Sequence, residues 1–150
     1  MNATGRAPLT VRLSVDVTHD GVAKSDLVRV ALINTSRFPV IVAGRLAIGY
    51  EDSSDREIYA VLHDRPTGEI VGGPAQLYHR APHSADDLRT LDQGDQTSTE
   101  FNLDDWYTHP AGDLDLQVVY DPSAVAQRFP GVESAQVFSD PVRIVFTRAC

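Results

Sequence analysis

LTVRLSVDV, residues 9–17, decides the fold. Leu9, Val11, Leu13, Val15 and Val17 alternate strictly with Thr10, Arg12, Ser14 and Asp16. In an extended chain this period puts every apolar side chain on one face and every polar one on the other, the mark of a strand with one buried side. His19-Asp20-Gly21 then reads as a turn. Leu27 to Ile33 resumes with Val28, Val30 and Leu32 on one side and Leu27, Ala31 and Ile33 on the other. A strand apolar on both faces belongs at the centre of a sheet.

The pattern continues outward. Asn34-Thr35-Ser36 has the chemistry of side chains that bond their own backbone, and Pro39 opens a short apolar stretch, Val40 to Val42, where its missing N–H does least harm. Gly44 to Tyr50 is expected to stay extended. The acidic run Glu51 to Asp55 is a loop before a strand at Ile58 to Leu62, and Arg65 to Gly68 is a turn before Glu69 to Val71. Gly72-Gly73-Pro74 breaks what precedes it. Between Gln76 and Gln96 the period weakens, and Ser84-Ala85-Asp86-Asp87 resembles a capping box that begins one helical turn. Three further strands are expected at Gln96 to Leu103, Asp113 to Tyr120 and Val142 to Thr147. The span from Asp121 to Asp140 is long for a hairpin loop and is expected to hold an irregular turn at Phe129-Pro130-Gly131.

About seven to nine short strands without a long amphipathic helix predict an all-β fold, an antiparallel immunoglobulin-like β-sandwich with at most one or two short helical turns. The 150 residues, 42% hydrophobic and 23% charged, suit one domain over residues 1–150, with residues 1–8 expected as a flexible N-terminus. With 21 acidic against 13 basic residues the net charge is -8, which repels nucleic acid and anionic membrane surfaces. No apolar run approaches the ~20 residues of a membrane span and the first ten residues lack a secretory core, so the expected location is cytoplasmic. The single cysteine, Cys150, precludes an intramolecular disulfide or a cysteine-based zinc site.

Five places invite a chemical reading. His79 and His83 are four apart, the spacing of two zinc ligands on a helix, but Pro82 lies between them and Arg80 stands where a zinc peptidase has its glutamate base. A loop could still join them to Asp86 or Asp87 around a metal; the competing reading is two solvated loop histidines. The carboxylates of Asp52 to Glu57 and Asp86 to Asp95 lack the alternate-position spacing of a calcium loop. No Gly-x-Ser-x-Gly elbow occurs, and Gly72-Gly73-Pro74 lacks the lysine of a phosphate loop. In Asp104-Asp105-Trp106-Tyr107-Thr108-His109, Asn102 is expected to cap a short turn and Leu103 and Trp106 to bury apolar surface, so a structural corner is favoured over a reaction centre. His109 before Pro110 has no partner visible in the sequence.

Leu32-Ile33-Asn34-Thr35-Ser36 with Pro39-Val40, Thr67-Gly68-Glu69-Ile70-Val71, Asp87-Leu88 with Leu91 and Gly94, Phe101-Asn102-Leu103 with Trp106-Tyr107, Ala111-Gly112 and Val119-Tyr120 occur in a suggestive order. From about Leu9 to Tyr120 the chain resembles the non-catalytic, amino-terminal β-sandwich domain of deuterolysin-type metallopeptidases. The resemblance implies a domain that precedes, and assists or covers, a zinc protease domain carrying His-Glu-x-x-His. This sequence contains no such motif, so no catalytic residue carries over.

The expected function is therefore non-enzymatic, a protein-binding or accessory module without a cofactor, in its specific form a regulator of peptidases. Its partner is expected to be another protein, bound along an exposed strand edge or through the loops Glu51 to Arg56, Gln76 to Asp87 and Asp121 to Gly131. The residues singled out on those loops are Asp52, Asp55, Arg56, Tyr78, Arg80 and Phe129. The alternatives are a metal-dependent hydrolase or lyase using His79, His83 and nearby carboxylates, and a structural subunit assembling through sandwich edges.

Overall fold

The alternation that begins in residues 9–17 is realised from Val11 as the first strand of an all-β sandwich. The computed structural model describes residues 10–18, 26–76 and 79–147. The expectations for residues 1–8, the His19 turn, Tyr78 and Cys150 lie outside the described residues. The strands are β1 (Val11–Thr18), β2 (Leu27–Asn34), β3 (Val40–Ala43), β4 (Ile48–Gly49), β5 (Ile58–Asp64), β6 (Ile70–Val71), β7 (Gly73–Pro74), β8 (Leu88–Leu91), β9 (Gln96–Asn102), β10 (Tyr107–Thr108), β11 (Gly112–Tyr120), β12 (Val137–Phe138) and β13 (Val142–Phe146). Two short helices, α1 (Leu103–Trp106) and α2 (Ser123–Arg128), and a 3-10 turn at Ala85–Asp87 complete the described chain. Eight of the strands have four residues or more, and the other five are two-residue pairings that repair sheet edges.

Strands β1-β2-β9 form one sheet with β2 central. Strand β11 is the spine of the other, flanked by β5 on one side and by β12 and β13 in succession on the opposite side. These two orders are the A-B-E and C-F-G pairings of an immunoglobulin sandwich. All ladders but one are antiparallel; β4 runs parallel to β5. Register follows alternation. Leu13 lies opposite Leu32, and Val28 opposite Phe101, so the apolar face of β1 continues across its sheet. On the second sheet Leu116 meets Leu62 and Val118 meets Ala60. Residues of both sheets join one buried cluster, in which Val28, Val30, Leu32, Ile58, Leu114, Leu116, Val118 and Tyr120 have no exposed surface.

Three local expectations fail for identifiable reasons. Gly44 to Tyr50 is not continuously extended: the chain turns after β3 and holds buried Leu46 at φ 52, so only Ile48 and Gly49 return to a strand. Asn102 precedes α1, but its amide donates to the Asp105 carboxylate at 3.3 Å instead of accepting a backbone N–H. The span 121–140 does turn at Pro130 and Gly131, but it also contains α2 and β12, which were not expected. By contrast Ser84 does accept the Asp86 N–H at 3.2 Å, opening the short helical turn its sequence suggests.

Where strands fall short, hydroxyl groups take their place. The buried Tyr120 hydroxyl accepts the Ala43 N–H at 2.9 Å, and that of Tyr107 accepts the Ala60 N–H at 2.9 Å while donating to the Gly49 carbonyl. Burial pushes both phenols well above the ordinary tyrosine range, because the charged form has no water. Gly72, at φ +77, is required by packing as well as by conformation: a Cβ there would sit 2.2 Å from the Thr108 carbonyl oxygen.

Tyr120→Phe leaves the Ala43 N–H buried without its acceptor. It should cost ~1–3 kcal/mol in chemical denaturation. A loss below a few tenths of a kcal/mol would mean that water or a backbone shift replaces the hydroxyl.

Candidate functional site

The Trp106 cluster is a corner. Trp106 and Tyr107 are buried, and Tyr50 packs between them with ring centroids 6.1 Å from Trp106 and 5.4 Å from Tyr107. The Tyr50 hydroxyl lies 2.6 Å from the Gln76 carbonyl and 2.8 Å from that of Trp106, tying the chain after β7 to α1. Arg80 stacks its guanidinium 5.3 Å from the centre of the Trp106 ring. His109 does have a partner: its Nε2 lies 3.0 Å from Asp104 Oδ1 and its ring stacks on Phe146 at 3.7 Å. Asp104 and His109 are five residues apart, and only the α1-to-β10 turn brings them together, so the sequence offered no spacing signal for the contact.

Two arginines pin the loops that looked available for binding. Arg45 makes a two-pronged bond to Glu57, at 2.8 and 2.7 Å, and also donates to the carbonyls of Ala81 (2.7 Å) and Asp55 (3.1 Å). Its bond to Glu57 raises the Arg45 guanidinium above its already high range, against the opposing effect of burial. His83 joins the same cluster, with Nε2 2.7 Å from the Ser54 carbonyl and Nδ1 3.4 Å from Glu57. Arg56, only 5% exposed, donates to the carbonyls of Tyr50, Glu51 and Asp121 and lies 3.2 Å from the Asp121 carboxylate.

The singled-out loop residues therefore separate. Arg56 is buried and committed to its own loop, Asp55 accepts the Arg80 backbone N–H at 2.8 Å, and Phe129 packs on the core under Arg128. Among the described ones, Asp52 alone stands exposed. Both nitrogens of His83 face protein atoms, His79 and Asp86 are exposed, and Asp87 is half-buried. Among the described residues no group of three or more His, Cys, Asp or Glu is arranged to hold a metal ion.

What the loops lack in free surface the six-stranded sheet supplies. Ile70 is 70% exposed, Phe138 55% and Val145 48%. Ile70 lies opposite His63, which lies opposite Asp115; Phe138 lies opposite Val119, and Val145 opposite Asp113. Positions 113, 115 and 119 share one side of β11, so all three apolar side chains project from a single face. Ion pairs separate them: Arg143 grips Asp113 at 2.9 Å, and Arg65 approaches Asp115 at 3.6 Å. At one margin of the sheet a groove of about 360 Å³ opens beside β5, between Tyr50, Tyr107, Ile70 and the Gly72–Pro74 segment. Sequence reading missed this face because Ile70, Phe138 and Val145 belong to separate short or edge strands.

No helix among the described residues is long and apolar enough to cross a membrane. The sequence matches no protein-family model and no curated protein.

Arg45→Met strands the Glu57 carboxylate, 1% exposed, without its counter-charge. It should cost ~3 kcal/mol or more, and adding Glu57→Leu should restore part of that loss. Additive losses in this double-mutant cycle would show that the pair is not coupled. Asp121 gives a pH prediction. Burial works to raise its carboxyl, but hydrogen bonds from Ser123 and the Arg56 charge prevail and hold it below the ordinary range. A depressed carboxyl stabilises the fold above its unfolded value, near 3.8, and the contribution disappears as pH falls below it. Asp121→Asn should flatten the acid limb of a stability-pH curve below about pH 4. An unchanged acid limb would contradict the assignment.

Proposed function

We propose that this β-sandwich is a non-enzymatic, protein-binding module of immunoglobulin type that meets its partner on the outer side of the six-stranded sheet. The observation that carries this reading is the presence of Ile70, Phe138 and Val145 on one face with about half or more of their surface exposed. Single exposed apolar residues are ordinary, but several on one sheet face, interleaved with ion pairs, match the mixed character of protein interfaces. The pinned loops support the same reading, since a rigid surface loses little entropy on association.

Peptidases are the partner class that the resemblance to deuterolysin amino-terminal domains nominates. A stoichiometric loss of peptidase activity is expected from that form of the proposal, and no effect across metallo, cysteine and serine peptidases would remove the peptidase assignment.

The surface itself is tested with the intact chain as bait in cross-linked capture from its native cell. The Ile70→Ser/Phe138→Ser/Val145→Ser variant should lose the captured protein while keeping a melting temperature within a few degrees of the parent, because exposed substitutions change stability by only about ±0.5 kcal/mol each. Undiminished capture by a folded triple variant would overturn the face assignment.

A further inference from the structure

The groove beside β5 has the composition of a peptide site. Strand β4 covers the flank of β5 at Ile58 and Tyr59, and β6 covers it at Leu62 and His63. Ala60 and Val61 fall in the interval between them, where the Tyr107 hydroxyl has taken the Ala60 N–H. The result is a groove of about 360 Å³, with Val61, Leu62, Ile70, Val71 and the rings of Tyr50 and Tyr107 along it. Among the described residues its charged lining is of one sign: Glu51 and Asp52 are the only carboxylates in it, and no arginine lines it. Both residues are exposed, and among the described residues neither carboxylate has an ion-pair partner. The nearby Arg56 makes no ion pair with either: its guanidinium donates to the Tyr50 and Glu51 backbone carbonyls and pairs with Asp121.

We propose that this groove binds an extended segment of a partner protein that carries a large apolar side chain next to lysine or arginine. An apolar floor rewards a buried aliphatic or aromatic side chain, and two unpaired carboxylates at its margin reward an adjacent cation. The interval between β4 and β6 spans Ala60 and Val61, room for about two residues of an extended chain to cross the flank of β5, with its alternate side chains reaching the groove. The net charge of -8 favours approach of a basic segment and disfavours an acidic one. The proposal rests on the protein-binding reading and names the chemistry of the partner.

The probe is a capped peptide of about eight residues, a usual strand length, alternating leucine with lysine. Two controls replace lysine by glutamate or leucine by serine. Trp106, the single tryptophan, packs against the groove residue Tyr50 and reports occupancy by fluorescence, and the amides of Gly72 and Gly73 report it by chemical shift.

The leucine-lysine peptide should bind saturably, one per chain, and both controls should bind at least tenfold more weakly, or about 1.4 kcal/mol. Glu51→Gln/Asp52→Asn, on an exposed loop, should raise its Kd about tenfold and reduce its salt dependence, whereas Phe138→Ser should leave it unchanged. Equal binding of the glutamate or serine control, or an unchanged Kd in the Glu51→Gln/Asp52→Asn variant, overturns the proposal. So does dimerisation by light scattering that Ile70→Ser abolishes, which would make the occupant a second copy. Absence of peptide binding, alongside partner capture that still depends on Phe138 and Val145, would remove the groove and leave the protein-binding reading standing.

Discussion

A sheet is stable only where the hydrogen-bonding groups of its strands find partners, and this sandwich meets that requirement at interrupted edges with side-chain hydroxyls. Four of them do the same task in different places. Tyr120 serves β3 at Ala43, Tyr107 joins β5 to β4, Thr97 donates to the Gly44 carbonyl at 2.9 Å, and Ser139 accepts the Val118 N–H at 2.9 Å. Ser139 stands where the outer strand breaks into β12 and β13 just before Pro141, which has no N–H to offer. Each hydroxyl is a fixed-length bridge, so each also sets how closely two segments approach. The core is built from apolar alternation, but the outline of the sandwich depends on these bridges.

Charge organises the periphery by the same logic. Glu57 is buried and satisfied from two sides by Arg45, which spends its remaining donors on the carbonyls of Asp55 and Ala81. Arg56 treats Tyr50, Glu51 and Asp121 in the same way. A guanidinium with five donors in a planar fork is suited to collecting carbonyls from separate loops, and a lysine at either position could not reproduce the pattern. Loops that are acidic and irregular in sequence are thus held against the sandwich, while Ile70, Phe138 and Val145 stand exposed on the outer side of the larger sheet.

The long elements were legible because alternation is a local signal. Residues 9–17, 27–33 and 113–120 each carry enough alternating positions to fix both the strand and its buried side, and β2 is central as its two apolar faces require. Two-residue strands carry no such signal. Ile70–Val71 and Val137–Phe138 are defined by what they pair with, and α2 lies in a span whose length pointed only to an irregular turn at Phe129-Pro130-Gly131. The exposed apolar face was illegible for the same reason, since Ile70, Phe138 and Val145 sit on short or edge strands. His109 illustrates the gap in miniature: its carboxylate partner is close in sequence, but the contact exists only once α1 has folded.

The corner and the groove are two sides of one construction. Tyr107 can reach Ala60 only because α1 ends where β10 begins, and β10 can lie against β7 only because Gly72 lacks a Cβ at the Thr108 carbonyl. With the Tyr107 hydroxyl in place, β5 needs no further strand at Ala60, and the interval between β4 and β6 stays open. A fuller strand there would close the groove and make the hydroxyl redundant. The tryptophan-tyrosine pair, expected as a structural corner, thus acts through structure: by standing in for a missing strand, the Tyr107 hydroxyl leaves an apolar recess beside β5.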